Sequence, residues 1–205
     1  MAFIINLFVE SLDQKQQAHF RLKNANFIMM NIARERKAID AALDNYRAQL
    51  DTIPDELFTV PPPGGGWSYA EVYSHILQAT LASSIGLERT AHNNCLPTKK
   101  GLTFLGRLMM FTGRFPPIRV KVPEKVEAKM PATKISKEDA KNLLIKCRKR
   151  IDETTPLLKN SSPGSRYKHP RLGMLNAEQW FKFIRIHAQH HLKQLSRIKK
   201  KFQLG

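Results

Sequence analysis

Three histidines carry the chemistry that this sequence offers. The stretch WFKFIRIHAQHHLKQLSRI, Trp180 to Ile198, puts Trp180, Phe183, Ile184, His187, His191, Gln194 and Ile198 on the i, i+3, i+4, i+7 stripe that a helix buries. The first members are large and apolar, and two imidazoles follow one turn apart on the same face. His75 lies on another such stripe with Val72, Ile76 and Ala79. An imidazole buried without a partner costs free energy, and a shared metal ion would remove that cost. Three imidazoles suit zinc, nickel, iron or copper better than magnesium or calcium. They leave one position open for a water or a substrate atom. At that position a water is acidified to a pKa of about 7 in favourable cases, or a thiolate is held as an activated nucleophile. The plainer reading is that HxxxH pairs arise by chance and that a core histidine is usually just hydrogen-bonded.

The remaining reactive side chains have mostly structural explanations. His190 is one residue off the stripe and reads as a flank or a supporting residue. His169 precedes Pro170 in a loop, where turn chemistry accounts for it. His19 and His92 carry no readable signal. Cys147 falls on a core stripe and reads as inert packing, and Cys95 has no activating neighbour in sequence. Glu71 precedes His75 by one turn. It could orient an imidazole or act as a base, but with Ser68 it completes an S-x-x-E capping box. Trp67 and Trp180 stand at helix starts, where aromatics more often pack than stack on a cofactor. No residue is assigned a catalytic role.

The elements that must position these groups are helices. A first helix is expected from Asn31 to about Asp51 with Ile32, Ile39, Leu43, Tyr46 and Leu50 on one face, stopped by Pro54. Pro61-Pro62-Pro63 and Gly64-Gly65-Gly66 form a linker. The second helix opens at Trp67-Ser68 and runs to about His92. Leu102 to Met110 reads as a short helix. After it, Pro116, Pro117, Pro123 and Pro131 forbid a long one, so this part reads as an extended cross-over of the kind that often walls a site. The third long helix is expected from Ser136 to about Leu158. The last follows a cap formed by Asn176 and Gln179 and closes on Arg197, Lys199, Lys200 and Lys201, where cations complement the helix dipole. No strand pattern stands out. Four long amphipathic segments with one long connection make an all-α four-helix bundle.

Composition sets the outer limits. A chain of 205 residues with 42% hydrophobic and 25% charged residues fits one globular domain with a full core. Residues 1–28 read as an N-terminal extension and residues 29–205 as the bundle. The opening MAFIINLFVESLDQ has no basic residue ahead of its apolar run and so lacks the plan of a secretory signal. No run approaches the roughly 18 apolar residues of a membrane span, and no membrane is counted among the expected partners. Two cysteines outside any CxxC pair fit a reducing compartment, and a cytoplasmic location is expected. The net charge of +17 favours contact with polyanions such as nucleic acid or anionic lipid. Candidate clusters are Lys99-Lys100, Arg107 with Arg114 and Arg119, Arg148-Lys149-Arg150, and Arg197 to Lys201. No base-reading motif accompanies them, so a basic protein binding nucleic acid or another polyanion stands as the alternative reading.

GWSYAEVYSHILQA, HPRLGMLNAEQW and HAQHHLKQL, in that order, resemble the DinB-like superfamily of metal-dependent bundles, over roughly Met30 to Ile198. The resemblance implies a right-handed up-up-down-down four-helix bundle. It also implies a metal held by one histidine of the second helix and an HxxxH pair of the last, positions matched here by His75, His187 and His191. Some members of that family are transferases or isomerases that use mycothiol, bacillithiol or glutathione. The cofactors implied are therefore a divalent transition metal (zinc, nickel or iron) and a low-molecular-weight thiol. The activity implied is a thiol-dependent transferase or a hydrolase acting on a small-molecule substrate. A homodimer is expected by the same analogy.

Overall fold

Local signals at the helix ends are used as the sequence suggests. In the computed structural model, residues 31–95, 98–117 and 132–204 are described. The extension expected at 1–28 lies outside them, as do Arg119, Pro123 and Pro131 of the expected cross-over. The chain divides into two compact units, Met1–Arg34 and Glu35–Gly205, and the second holds His75, His187 and His191.

Helix α1 covers residues 31–52 of the described chain, and the short α2, Asp55–Phe58, follows Pro54. Helix α3, Tyr69–Ala91, starts at a complete capping box. The Ser68 hydroxyl accepts from the Glu71 amide, and the Glu71 carboxylate accepts from the Ser68 amide at 2.8 Å. Helix α4, Phe104–Thr112, is capped by Thr103 and ends on Gly113, whose φ of 67° is a left-handed terminus that glycine reaches without strain. Helix α5, Lys137–Thr154, opens on a second capping box between Ser136 and Asp139. It gives way to a 3₁₀ segment, Thr155–Asn160, where Pro156 can no longer donate to the α-helical ladder. Helix α6, Ala177–Leu204, begins at a reciprocal pair. Asn176 accepts from the Gln179 amide at 2.9 Å, and Gln179 accepts from the Asn176 amide at 3.1 Å.

The chain is mostly helical, and among the described residues α1, α3, α5 and α6 are the four long helices. The core between them includes Tyr46, Leu50, Tyr73, Ile76, Leu77, Cys147, Ile151, Phe181 and Ile184. Two buried tyrosines tie three helices together. Tyr73 donates to the Tyr46 carbonyl at 2.8 Å, and Tyr46 donates to the Ala188 carbonyl at 2.7 Å. Helices α3 and α6 approach closely at Gly86, where an added Cβ would lie 2.7 Å from the Trp180 ring. On the α1–α5 side, Arg36 and Arg148 pair with Asp40, Asp44 and Asp152.

One small sheet departs from the all-helical expectation. Strands β1, Tyr167–His169, and β2, Gly173–Leu175, form an antiparallel hairpin that Leu102 extends by one bridge to Gly173. Three-residue strands are too short to show alternation. Their stability comes from contacts distant in sequence: Thr103 donates its amide to the Leu172 carbonyl at 2.9 Å, and Met174 donates to the Gly101 carbonyl at 3.0 Å. Gly173 has a φ of 92°, and a side chain there would collide with the backbone at Gly101.

Candidate metal centre

His75 projects from the second turn of α3, and His187 and His191 from successive turns in the middle of α6. The fold brings all three together: one ring nitrogen from each lies within 4.8 Å of the others. The ring centroids are 5.3 Å apart for His75 and His187, 4.9 Å for His75 and His191, and 4.7 Å for His187 and His191. The Nε2 atoms of His187 and His191 face each other at 3.0 Å. Tetrahedral Zn–N bonds of about 2.0–2.1 Å separate ligand nitrogens by about 3.3–3.4 Å, so the donor set needs only modest adjustment to close on an ion.

The electrostatics keep these rings uncharged. Burial lowers the His191 pKa to about 3, with the neighbouring His75 and His190 adding to the shift. It pushes His187 well below the ordinary imidazole value, helped by His191 and His75. Burial also lowers His75. Neutral imidazoles with free lone pairs are the form that a metal needs.

Gln194, one turn beyond His191, fixes which nitrogen is free. Its Oε1 lies 2.7 Å from His191 Nδ1. A carbonyl oxygen only accepts, so in the neutral ring Nδ1 carries the proton and Nε2 is left as a lone-pair donor facing His187. The sequence placed Gln194 on the stripe without a role. The signal was available, because i+3 is hydrogen-bonding distance on a helix.

Aromatic rings wall the site. Trp67 packs on His75 at 5.2 Å, Phe183 stacks on His187 at 5.2 Å, and Phe115 lies 5.8 Å from His187 and 4.5 Å from His190. Phe115 was readable only as part of a proline-rich run. It reaches the site because the chain turns at Gly113 at the end of α4. Nearby, Arg185 pairs with Glu35 and donates to the Gly113 carbonyl at 3.2 Å and to Gln189 at 2.7 Å.

The other candidates fall outside the cluster. His190 flanks it, 5.1 Å from the His191 ring. His169 caps the hairpin turn: its Nδ1 accepts from the amides of Arg171 at 3.2 Å and Leu172 at 3.1 Å, and burial lowers its pKa to about 4. Glu71 is occupied in its capping box. Cys147 is buried, donates to the Leu77 carbonyl and is pushed up to about 12 by burial, which suits packing and not nucleophilic chemistry. A cleft of about 450 Å³ beside Leu50, Phe58 and Ser136 does not include the histidines, and its charges pair across it, Lys137 with Asp55 at 2.6 Å and Lys141 with Asp51 at 3.7 Å.

The sequence profile of the DinB superfamily matches residues 38–195, and the chain belongs to that superfamily. Two solved structures share the fold. TT2238, described as a four-helix bundle protein, is 20% identical, with a TM-score of 0.53 over 81% of this chain and 98% of that one. YfiT from Bacillus subtilis, described as a probable metal-dependent hydrolase with an unusual four-helix bundle topology, is 14% identical, with a TM-score of 0.56 over 84% of this chain and 87% of that one. Identities this low speak for the fold alone. No curated protein matches the sequence significantly.

Proposed function

We propose, on the premise of DinB membership, that His75, His187 and His191 hold one divalent transition metal ion and that the chain is a metal-dependent enzyme, a thiol-dependent transferase or a hydrolase. The observation that carries this reading is the convergence of three imidazoles, His191 buried and His75 and His187 half-buried, with one ring nitrogen of each within 4.8 Å of the others. When bound, the ion supplies Lewis-acid chemistry that lowers the pKa of a coordinated water or thiol.

The chain's own residues prepare the site for that chemistry. Gln194 holds His191 in the tautomer with Nε2 free. Tyr46, through the Ala188 carbonyl, braces the turn of α6 that carries His187 and His191. Trp67, Phe115 and Phe183 limit water around the rings and offer an apolar wall to a small substrate. Cys147 is sealed in the core and Cys95 is outside the cluster, so a sulfur nucleophile would come from a low-molecular-weight thiol. Assays with a panel of thiols and electrophiles, against activated esters and amides without thiol, separate transferase from hydrolase. Activity in neither panel from metal-replete protein would count against the enzymatic reading.

The polyanion reading is weakened at one of its clusters. Arg148 pairs with Asp40 and Asp44, and Arg150 pairs with Glu88 and Glu153. Those guanidinium groups are already engaged within the chain.

A further inference from the structure

The acids and the remaining cations of this chain are segregated. Carboxylates of α1, α3 and α5 pair with arginines and lysines of α1 and α5. By contrast, the segments 98–117 and 161–177 contain no Asp or Glu. Lys99, Lys100, Arg107 and Arg114 lie in the first, and Arg166, Lys168 and Arg171 in the second, all exposed but for the half-buried Arg166 and Arg171. The two segments form one surface, joined by the bridge from Leu102 to Gly173 and by Arg166, which donates to the Lys100 carbonyl at 2.9 Å.

Helix α4 crosses this basic surface with an apolar face turned outward. Gly106 and Met109 are its buried side. Phe104, Leu108 and Phe111, at i, i+4 and i+7 on the opposite side, are 80%, 37% and 90% exposed. Arg107 sits within that stripe, three residues after Phe104 and four before Phe111. Two phenylalanines this exposed on one short helix are unlike scattered surface apolar residues.

We propose that the outward face of α4, with the basic residues around it, docks on an anionic lipid bilayer. The composition is that of a helix lying in the interface, with aromatic and aliphatic side chains on the face that enters and cations around it that meet the headgroups. The absence of a spanning segment among the described residues does not bear on a helix that lies flat. A two-fold contact between copies would set the Arg107 side chains and their basic neighbours against each other. A nucleic acid strand needs a groove that follows its backbone, whereas α4 offers a single convex ridge. Beyond the end of α4 the chain turns at Gly113 and reaches Phe115, which lies on the His187 and His190 rings. Docking would therefore hold the histidine cluster beside the lipid surface, where substrates that partition into lipid are concentrated.

The test is co-sedimentation of the full chain with vesicles of phosphatidylcholine alone and of phosphatidylcholine mixed with phosphatidylglycerol. Binding is expected only to the mixed vesicles, and it should weaken at least about tenfold at high salt. Phe111→Ser and Phe104→Ser should each lower it about tenfold or more. The pair Lys100→Glu with Arg107→Glu should do the same. The pair Lys199→Glu with Lys200→Glu, which changes the net charge equally at the end of α6, should leave it within about twofold. Far-UV circular dichroism and melting should be unchanged in all four variants, whose altered side chains are exposed. Binding should be equal with and without chelator, so that its failure and the failure of the metal site are read separately. The proposal is overturned by no binding to mixed vesicles at low salt, by equal binding to neutral vesicles, or by equal loss in the α6 variant. It is also overturned if Phe111→Ser dissolves a dimer or a DNA complex while vesicles are never bound.

Discussion

Replacing Gln194 by Leu tests the geometry of the site without touching any of the three histidines proposed to hold the metal. The substitution keeps much of the side-chain volume and removes the acceptor 2.7 Å from His191 Nδ1. Two effects follow. The buried Nδ1–H loses its partner, and the ring no longer prefers the tautomer that leaves Nε2 free toward His187. A buried donor left unsatisfied costs about 1–3 kcal/mol. If all of that falls on the metal-bound state, affinity drops by about 5- to 160-fold, a range that contains the 10- to 100-fold typical of lost supporting hydrogen bonds around metal-ligating histidines. The assay is competition for zinc against a chromophoric chelator, with thermal melting of the metal-free protein as a control for packing. Gln194→Glu, which restores an acceptor and adds charge, should bind at least as tightly as the parent. Affinity for Gln194→Leu within about twofold of the parent would refute the reasoning, as would equal losses in the Leu and Glu variants.

Three further outcomes follow from the same contacts. In the metal-free protein, His75, His187 and His191 are held below the ordinary value of 6.5 by burial. The unfolded chain therefore binds more protons as the pH falls below about 6.5, and stability should drop by up to about 1.4 kcal/mol per pH unit per histidine between about pH 6.5 and 5. A flat profile of urea midpoints over that window would contradict the burial of neutral rings. Tyr46→Phe removes the hydroxyl that serves the Ala188 carbonyl and should cost about 1–2 kcal/mol in urea denaturation. A change below about 0.3 kcal/mol would show that water replaces it. Gly86→Ala forces a methyl toward the Trp180 ring and should cost about 1–3 kcal/mol by separating α3 from α6. A neutral result would mean that this approach is not tight.

What could be read from the sequence was local or periodic. Ser68 with Glu71 and Asn176 with Gln179 work within one helical turn, so their roles do not depend on the rest of the fold. The stripes through His75 and through His187 and His191 were legible because a helix maps spacing onto direction. That the two stripes meet is a tertiary fact, and it entered through the resemblance to the superfamily that the profile match now shows over residues 38–195. The hairpin at Tyr167–Leu175 was not legible, because its strands carry three residues each and depend on Gly101 to Thr103. Phe115 was hidden for the same kind of reason, since its place against His187 follows from a turn at Gly113. The arginine cluster at 148–150 read as a polyanion site because its partners, Asp40, Asp44 and Glu88, lie far away in sequence.

The central claim is that one ion sits among three imidazoles, and it is tested most directly by elemental analysis of purified protein together with anomalous scattering from its crystals. The account predicts close to one transition-metal ion per chain, an anomalous peak bounded by His75, His187 and His191, and loss of both in His75→Ala and His191→Ala proteins that still fold. Protein from metal-replete cells that carries no stoichiometric metal, with the His187 and His191 rings bonded to each other as in the ion-free geometry, would contradict it.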